Sequence, residues 1–221
     1  MVLVVVRHAE SVENAAKYDG FYHDRRPYGG AAAHDISKNL VGLTPTGFRQ
    51  CLWLAEALAD LNGLRMRVYT STYRRAIDTA EAAFGPARFR QTSLLDEQHY
   101  GDATYMTKTE LFATYPESAE DRRFRKHLWT PPGCGESLAG DVSRRARDFV
   151  ALARGELEAG HAVVAITHHT TILALRALLE NVPITEILQQ ARAAKTPTAG
   201  IFRYALADGE FAGLSRSAPA P

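Results

Sequence analysis

The chain opens on an unbroken apolar run, Val2-Leu3-Val4-Val5-Val6, and a second, Ala162-Val163-Val164-Ala165-Ile166, lies late in the sequence. Neither alternates with polar residues, so each reads as a strand covered on both faces of a parallel sheet. Met66 to Tyr69 and Arg88 to Thr92 read as further short strands. Ile201 to Tyr204 and Glu210 to Leu214, joined through Ala207-Asp208-Gly209, predict an edge hairpin. Helical patterns separate the strands. Thr44 caps a helix with Pro45 at its first position, expected to turn Phe48, Cys51, Leu52, Ala55, Leu58 and Ala59 inward and to stop near Asn62-Gly63. A helix from about Ser71 carries Arg75, Ala76, Thr79, Ala80 and Ala83 on one side and ends at Gly85-Pro86. Another, from about Leu138 to Leu157, turns Val142, Ala146, Phe149, Val150 and Ala153 inward, and one more runs from Thr170 to about Leu179. Alternating strand and helix predict an α/β fold, a three-layer α/β/α sandwich with a mostly parallel central sheet. In such a fold the binding site lies at the carboxyl ends of the strands.

Two stretches break the periodicity, at about 15–42 and 94–135. Both are expected to cover the pocket as insertions in one domain spanning 1–221, since 221 residues suffice for one well-buried core. No apolar run is long enough to cross a bilayer, and no basic segment precedes the opening run, which argues for a strand over a signal peptide and against a membrane partner. Cys51 and Cys134 form no cysteine framework, which suits a reducing cytoplasm. A net charge of +1 gives no general attraction to nucleic acid. Only five of the 26 basic residues are lysines. Arginine suits phosphate and carboxylate binding, although codon bias in a GC-rich genome explains such a surplus equally well.

Position separates those readings at three strand ends. The first strand runs straight into Arg7-His8-Ala9-Glu10-Ser11, an arrangement that a merely satisfied surface histidine would also produce. The late strand runs into Thr167-His168-His169 ahead of a helix whose amide end favours an anion. Tyr69-Thr70-Ser71 leads to Arg74-Arg75 in a first helical turn, where cations are unfavourable without a compensating anion. Arg75 falls on the apolar face and Arg74 toward solvent. Arg7, His8, Arg75 and His168 therefore converge. Such a cationic group suits a phosphoryl group, which a histidine can take up covalently.

The chain resembles the histidine phosphatase superfamily, also called the phosphoglycerate mutase-like family. The resemblance rests on Arg7-His8-Ala9-Glu10-Ser11 with Asn14, Leu43-Thr44-Pro45-Thr46-Gly47 with Gln50, and Thr70-Ser71 with Arg75-Ala76. It continues through Leu95-Asp96-Glu97 with Gly101, Gly135-Glu136-Ser137 and Thr167-His168, and so covers nearly the whole chain. It implies that His8 is the nucleophile, that Arg7, Asn14, Arg75 and His168 hold the phosphoryl group, and that Glu97 is the acid and then the base. Asp96 is expected to point elsewhere. Ala9 and His169 stand where the family has glycine, which leaves the orientation of His169 open.

The implied activity is hydrolysis of a small phosphorylated metabolite, with no metal and no cofactor. A mutase dependent on 2,3-bisphosphoglycerate is the alternative, and a phosphate-binding module without catalysis a remote one. Glu97 to Gly101 and Lys108 resemble a mutase segment, but Gln98 stands where mutases carry arginine. A metal site is disfavoured, because adjacent His168 and His169 cannot easily face one ion from an extended strand. Arg25, Arg26, Tyr100 and Lys108 are the candidates for recognising the rest of the substrate. Monomer and homodimer both stay open.

Overall fold

The computed structural model describes residues 1–18, 21–22, 33–86 and 88–220. Strand β1 (Val2–Arg7) is followed by a short helix α1 (Val12–Ala15), a small hairpin β2 (Lys17–Tyr18) and β3 (Phe21–Tyr22), and α2 (Ala33–Asn39). Then come α3 (Pro45–Ala57), β4 (Met66–Thr70), α4 (Arg74–Phe84) and β5 (Phe89–Gln91). Helices α5 (Lys108–Thr114) and α6 (Ser118–Phe124) belong to the long central insertion. The chain closes with α7 (Ser143–Glu158), β6 (Ala162–Thr167), α8 (His169–Leu179), α9 (Ile184–Ala193), β7 (Ile201–Ala207) and β8 (Glu210–Ser217).

The main sheet has the order β5-β4-β6-β1-β7-β8. Its first four strands are parallel, and β7 and β8 add the expected antiparallel hairpin at the edge. Strand periodicity explains why β1 needs apolar residues throughout. Leu3 and Val5 pack with Phe149, Ala153, Ile172 and Leu175 of α7 and α8 on one face. Val4 and Val6 pack with Leu54, Leu58, Ala76 and Ala80 on the other, largely from α3 and α4. The result is three layers with two cores, each buried Val, Leu, Ile or Phe side chain gaining roughly 1.5–3 kcal/mol from burial.

Helix α4 begins at Arg74, not Ser71, and its predicted inner face is the one buried. Helix α3 departs from expectation. Its buried positions are Gly47, Cys51 and Leu54, whereas Phe48 and Leu52 are exposed and the helix ends at Ala57, a 3-10 turn over Ala59–Leu61 following. The phase is set by Gly47, where a Cβ would stand 2.2 Å from the Glu10 carbonyl oxygen. Only glycine fits there, and docking it against Glu10 rotates Phe48 and Leu52 outward.

The central insertion has a core of its own, Ala103, Leu111 and Trp129, with Tyr100, Met106, Phe112 and Tyr115 packed around it. Helix α7 is preceded by a wide π-helical turn, Leu138–Val142, capped by Ser137. Among the described residues no helix is long and apolar enough to cross a membrane.

Candidate active site

The ladder of the sheet continues past the strand ends into the site. The His8 amide donates to the Thr167 carbonyl (2.8 Å), the Ser71 amide to Ile166 (3.0 Å) and the Arg7 amide to Gly200 (2.9 Å). The Ala199 amide reaches the His8 carbonyl (3.2 Å) from a left-handed backbone at φ +54°. A non-glycine residue held there is strained, and such strain gathers at functional sites. Ala9 is wholly buried, has no positive φ, and so replaces the family's glycine without backbone cost.

His8 and His168 lie with ring centroids 5.0 Å apart. The Nδ1 of His8 lies 2.7 Å from the Ala9 carbonyl, which can only accept. Nδ1 therefore carries the proton, and the lone pair that could attack a phosphorus sits on Nε2. His168 Nε2 is 2.8 Å from Ser71 Oγ, whose own hydrogen is directed to the Asp96 carboxylate at 2.9 Å. His168 must then donate through Nε2. Burial first, then the charges of Arg75, His8 and Arg7, hold its pKa well below the ordinary value and keep the ring neutral.

Asp96 and Glu97 diverge: the Asp96 carboxylate turns to the β4 to α4 connection and that of Glu97 to α8. Asp96 takes hydrogen bonds from Ser71 and from the Thr72 amide (2.8 Å) and hydroxyl, and pairs with Lys38 at 3.3 Å. Its role is to lock the β4 to α4 turn. Arg7 is buried and donates to the Thr196 carbonyl (2.6 Å), with Nε left unpartnered. Burial pushes its pKa down to about 10, so it stays charged at neutral pH. Arg75 donates to the Ser37 carbonyl (2.7 Å), lies 3.6 Å from Glu13 and sits over the Tyr73 ring. Glu13 is held in turn by the Tyr105 hydroxyl. Arg74 is largely exposed and pairs with Asp78.

Glu97 accepts from the Gln98 amide (2.9 Å) and, at α8, from the Thr170 amide (3.4 Å). Tyr100 lies beside it: burial and then the Glu97 charge raise the phenol's pKa, while a hydrogen bond to Thr170 opposes them. Asn14 spends its side-chain oxygen on the Ser11 cap of α1, accepting from the Ser11 amide at 3.1 Å. Lys108 opens α5 with its side chain exposed. Arg25 and Arg26 lie outside the described residues.

His169 is partly buried, with Nδ1 unpartnered among the described residues. Burial, and then Arg7, Lys195 and Lys126, depress its pKa to about 3. Lys126 is lowered to about 8, by burial first and then by Arg122. The sequence left Glu13, Lys195 and Arg145 without roles, while Arg125-Lys126, like Arg122-Arg123, resembles the paired arginines that hold the substrate carboxylate in the mutase alternative.

A model of the histidine phosphatase superfamily (branch 1) matches residues 3–212. The 2,3-bisphosphoglycerate-dependent phosphoglycerate mutase of Mycobacterium tuberculosis is 28% identical over 214 residues, covering 84% of this chain and 79% of that one. A second mutase of that name, from Gloeobacter violaceus, is 37% identical over 112 residues, 48% of this chain and 51% of its own. Among solved structures, the alpha-ribazole phosphatase of Shigella flexneri superposes with a TM-score of 0.75 at 20% identity, covering 97% of this chain and 95% of that one. A mycobacterial glucosyl-3-phosphoglycerate phosphatase gives 0.69 at 24%, covering 96% of each. The chain belongs to the histidine phosphatase superfamily.

Proposed function

We propose that the protein hydrolyses a phosphomonoester through a phosphohistidine at His8. The observation that carries this reading is the His8 tautomer, with Nδ1–H committed to Ala9 and the attacking lone pair on Nε2, beside Arg7 and Arg75. In the first step Nε2 attacks the phosphorus in line, the N–P bond forms as the ester P–O bond breaks, and Glu97 gives its proton to the leaving oxygen. In the second, water attacks the phosphorus, the Glu97 carboxylate takes a proton from it, and the N–P bond breaks to release phosphate. The arginines balance charge on the transferred oxygens.

Hydrolysis is favoured over mutase chemistry by the fate of Gln98. At the position where mutases carry arginine, its side chain is buried and donates to the Glu136 carbonyl at 2.6 Å, so it holds the backbone and adds no cation to the pocket. The mutase reading rests on the names of the relatives and the 2,3-bisphosphoglycerate they use. The test is a phosphate-release screen over sugar phosphates, phosphoglycerates, nucleotides and phosphoamino acids, with bisphosphoglycerate-dependent isomerisation scored on the same samples. Phosphate release from at least one substrate should outpace isomerisation. Isomerisation faster than any release would establish the mutase instead.

A further inference from the structure

We propose that Arg145 and Glu136 are positioning residues that aim Glu97 at the leaving oxygen. The inference rests on the phosphatase reading above and adds to it the groups that hold the acid in place.

Glu97 sits on an irregular segment between a 3-10 turn, Ser93–Leu95, and another at Gly101–Ala103. Such a segment has no ladder of its own to fix it. Arg145, from the first turn of α7, supplies one. Its Nη1 donates to the carbonyls of Ser93 (3.3 Å), Leu94 (3.4 Å) and Asp96 (3.0 Å), and its Nη2 to that of Glu97 (3.5 Å). The guanidinium is itself fixed by Glu136 in a two-point pair, Nε to Oε1 at 2.9 Å and Nη2 to Oε2 at 2.7 Å. Glu136 then grips the far side of the segment: its carboxylate takes the His99 amide (3.0 Å), its amide donates to the His99 carbonyl (2.8 Å), and its carbonyl takes Gln98. Residues 96 to 99 are thereby held on both flanks of Glu97. From behind, the Thr171 hydroxyl holds the Asp96 carbonyl and the Thr167 hydroxyl that of Leu95, both at 2.6 Å.

The Glu97 carboxyl has only two amide contacts of its own, one of them at 3.4 Å. Its position therefore follows its backbone, and a displacement of about 1 Å in a catalytic group can cost on the order of 10²-fold. Four carbonyls call for a strong donor, and the two-point pair with Glu136 fixes the guanidinium while leaving those donors in place.

The experiment compares single-turnover phosphorylation of His8 by p-nitrophenyl phosphate, whose leaving group needs no proton, with that by glycerol phosphate, whose alkoxide does. Phosphoenzyme is trapped as acid-labile phosphate. Arg145→Met should slow the alkyl reaction by roughly 10²-fold and the aryl reaction by less than about fivefold, the same signature as Glu97→Gln. Arg145→Met combined with Glu97→Gln should be no slower than Glu97→Gln alone, and Arg145→Lys should restore part of the rate. If Arg145→Met does not fold, Glu136→Gln carries the same comparison with a smaller loss, roughly 10-fold on the alkyl ester. Equal losses on both esters, no loss on either, or a fully additive double variant would overturn the brace. Wild-type enzyme that forms no phosphohistidine with either ester would instead bring down the proposed function itself.

Discussion

The phosphoryl half of the site and the leaving-group half are built by different means. Arg7, His8, Ser71 and His168 extend from neighbouring strands of one sheet, the amides of Arg7, His8 and Ser71 still bonded in its ladder. Glu97, Tyr100 and Lys126 stand instead on the insertion, held by side-chain braces and a separate small core. Under the proposed function, the part of the substrate common to all phosphomonoesters would meet the half built on the sheet, and the part that varies would meet the half whose hold is local.

The sharpest way to break this comparison is at His8. His8→Ala should lower turnover by roughly 10³-fold or more and abolish acid-labile phosphate on the protein, while phosphate binding survives through Arg7 and Arg75. Turnover near the wild-type rate with a natural substrate would remove the nucleophile from the phosphoryl half.

A smaller effect is expected in the insertion. Trp129 is 3% exposed and centres the small core, so Trp129→Ala should destabilise that region by about 3–5 kcal/mol. Hydrogen exchange would show its amides losing protection while those of β1 and β6 keep theirs. If the sheet amides fell equally, the two halves would be one cooperative unit.

The smallest effect lies at His169, whose pKa is lowered by burial and then by charges from both halves, Arg7 and the insertion's Lys126. Its pKa in the fold, about 3, lies below the ordinary 6.5, so on acidification the unfolded chain binds a proton that the folded chain refuses. Stability present above about pH 6.5 is lost as pH falls toward 3, at up to about 1.4 kcal/mol per pH unit from this group. His168 adds loss in the same direction. His169→Asn should flatten that slope in urea titrations at several pH values. An unchanged slope would place the ring in water.

The same division governs what the sequence discloses. The runs of β1 and β6 are legible because strands buried on both faces admit few polar residues. His8 and His168 follow those runs directly, and Arg75 betrays itself by falling on an apolar face. Helix α3 is misread in phase because its deciding contact, Gly47 against Glu10, is tertiary. Helix α9 buries only Ile187 and Leu188, too few to mark a face. Arg145 looks like any arginine of a polar helix, since its partners are backbone carbonyls some fifty positions earlier, and carbonyls have no identity in a sequence.

The π turn at Leu138–Val142 sets the register on which that brace depends. A π turn holds extra residue length that an ordinary α turn does not, and each residue of an α-helix advances it by about 100°. Deleting one residue there would let the chain wind as α throughout and leave the stripe of Ala146, Phe149 and Ala153 undisturbed. It would, however, swing Glu136 around the helix axis away from Arg145. The length of that turn, and not the stripe of Ala146, Phe149 and Ala153, therefore sets whether Glu136 meets Arg145, and the buried Leu138 and Val142 tie its length to the core.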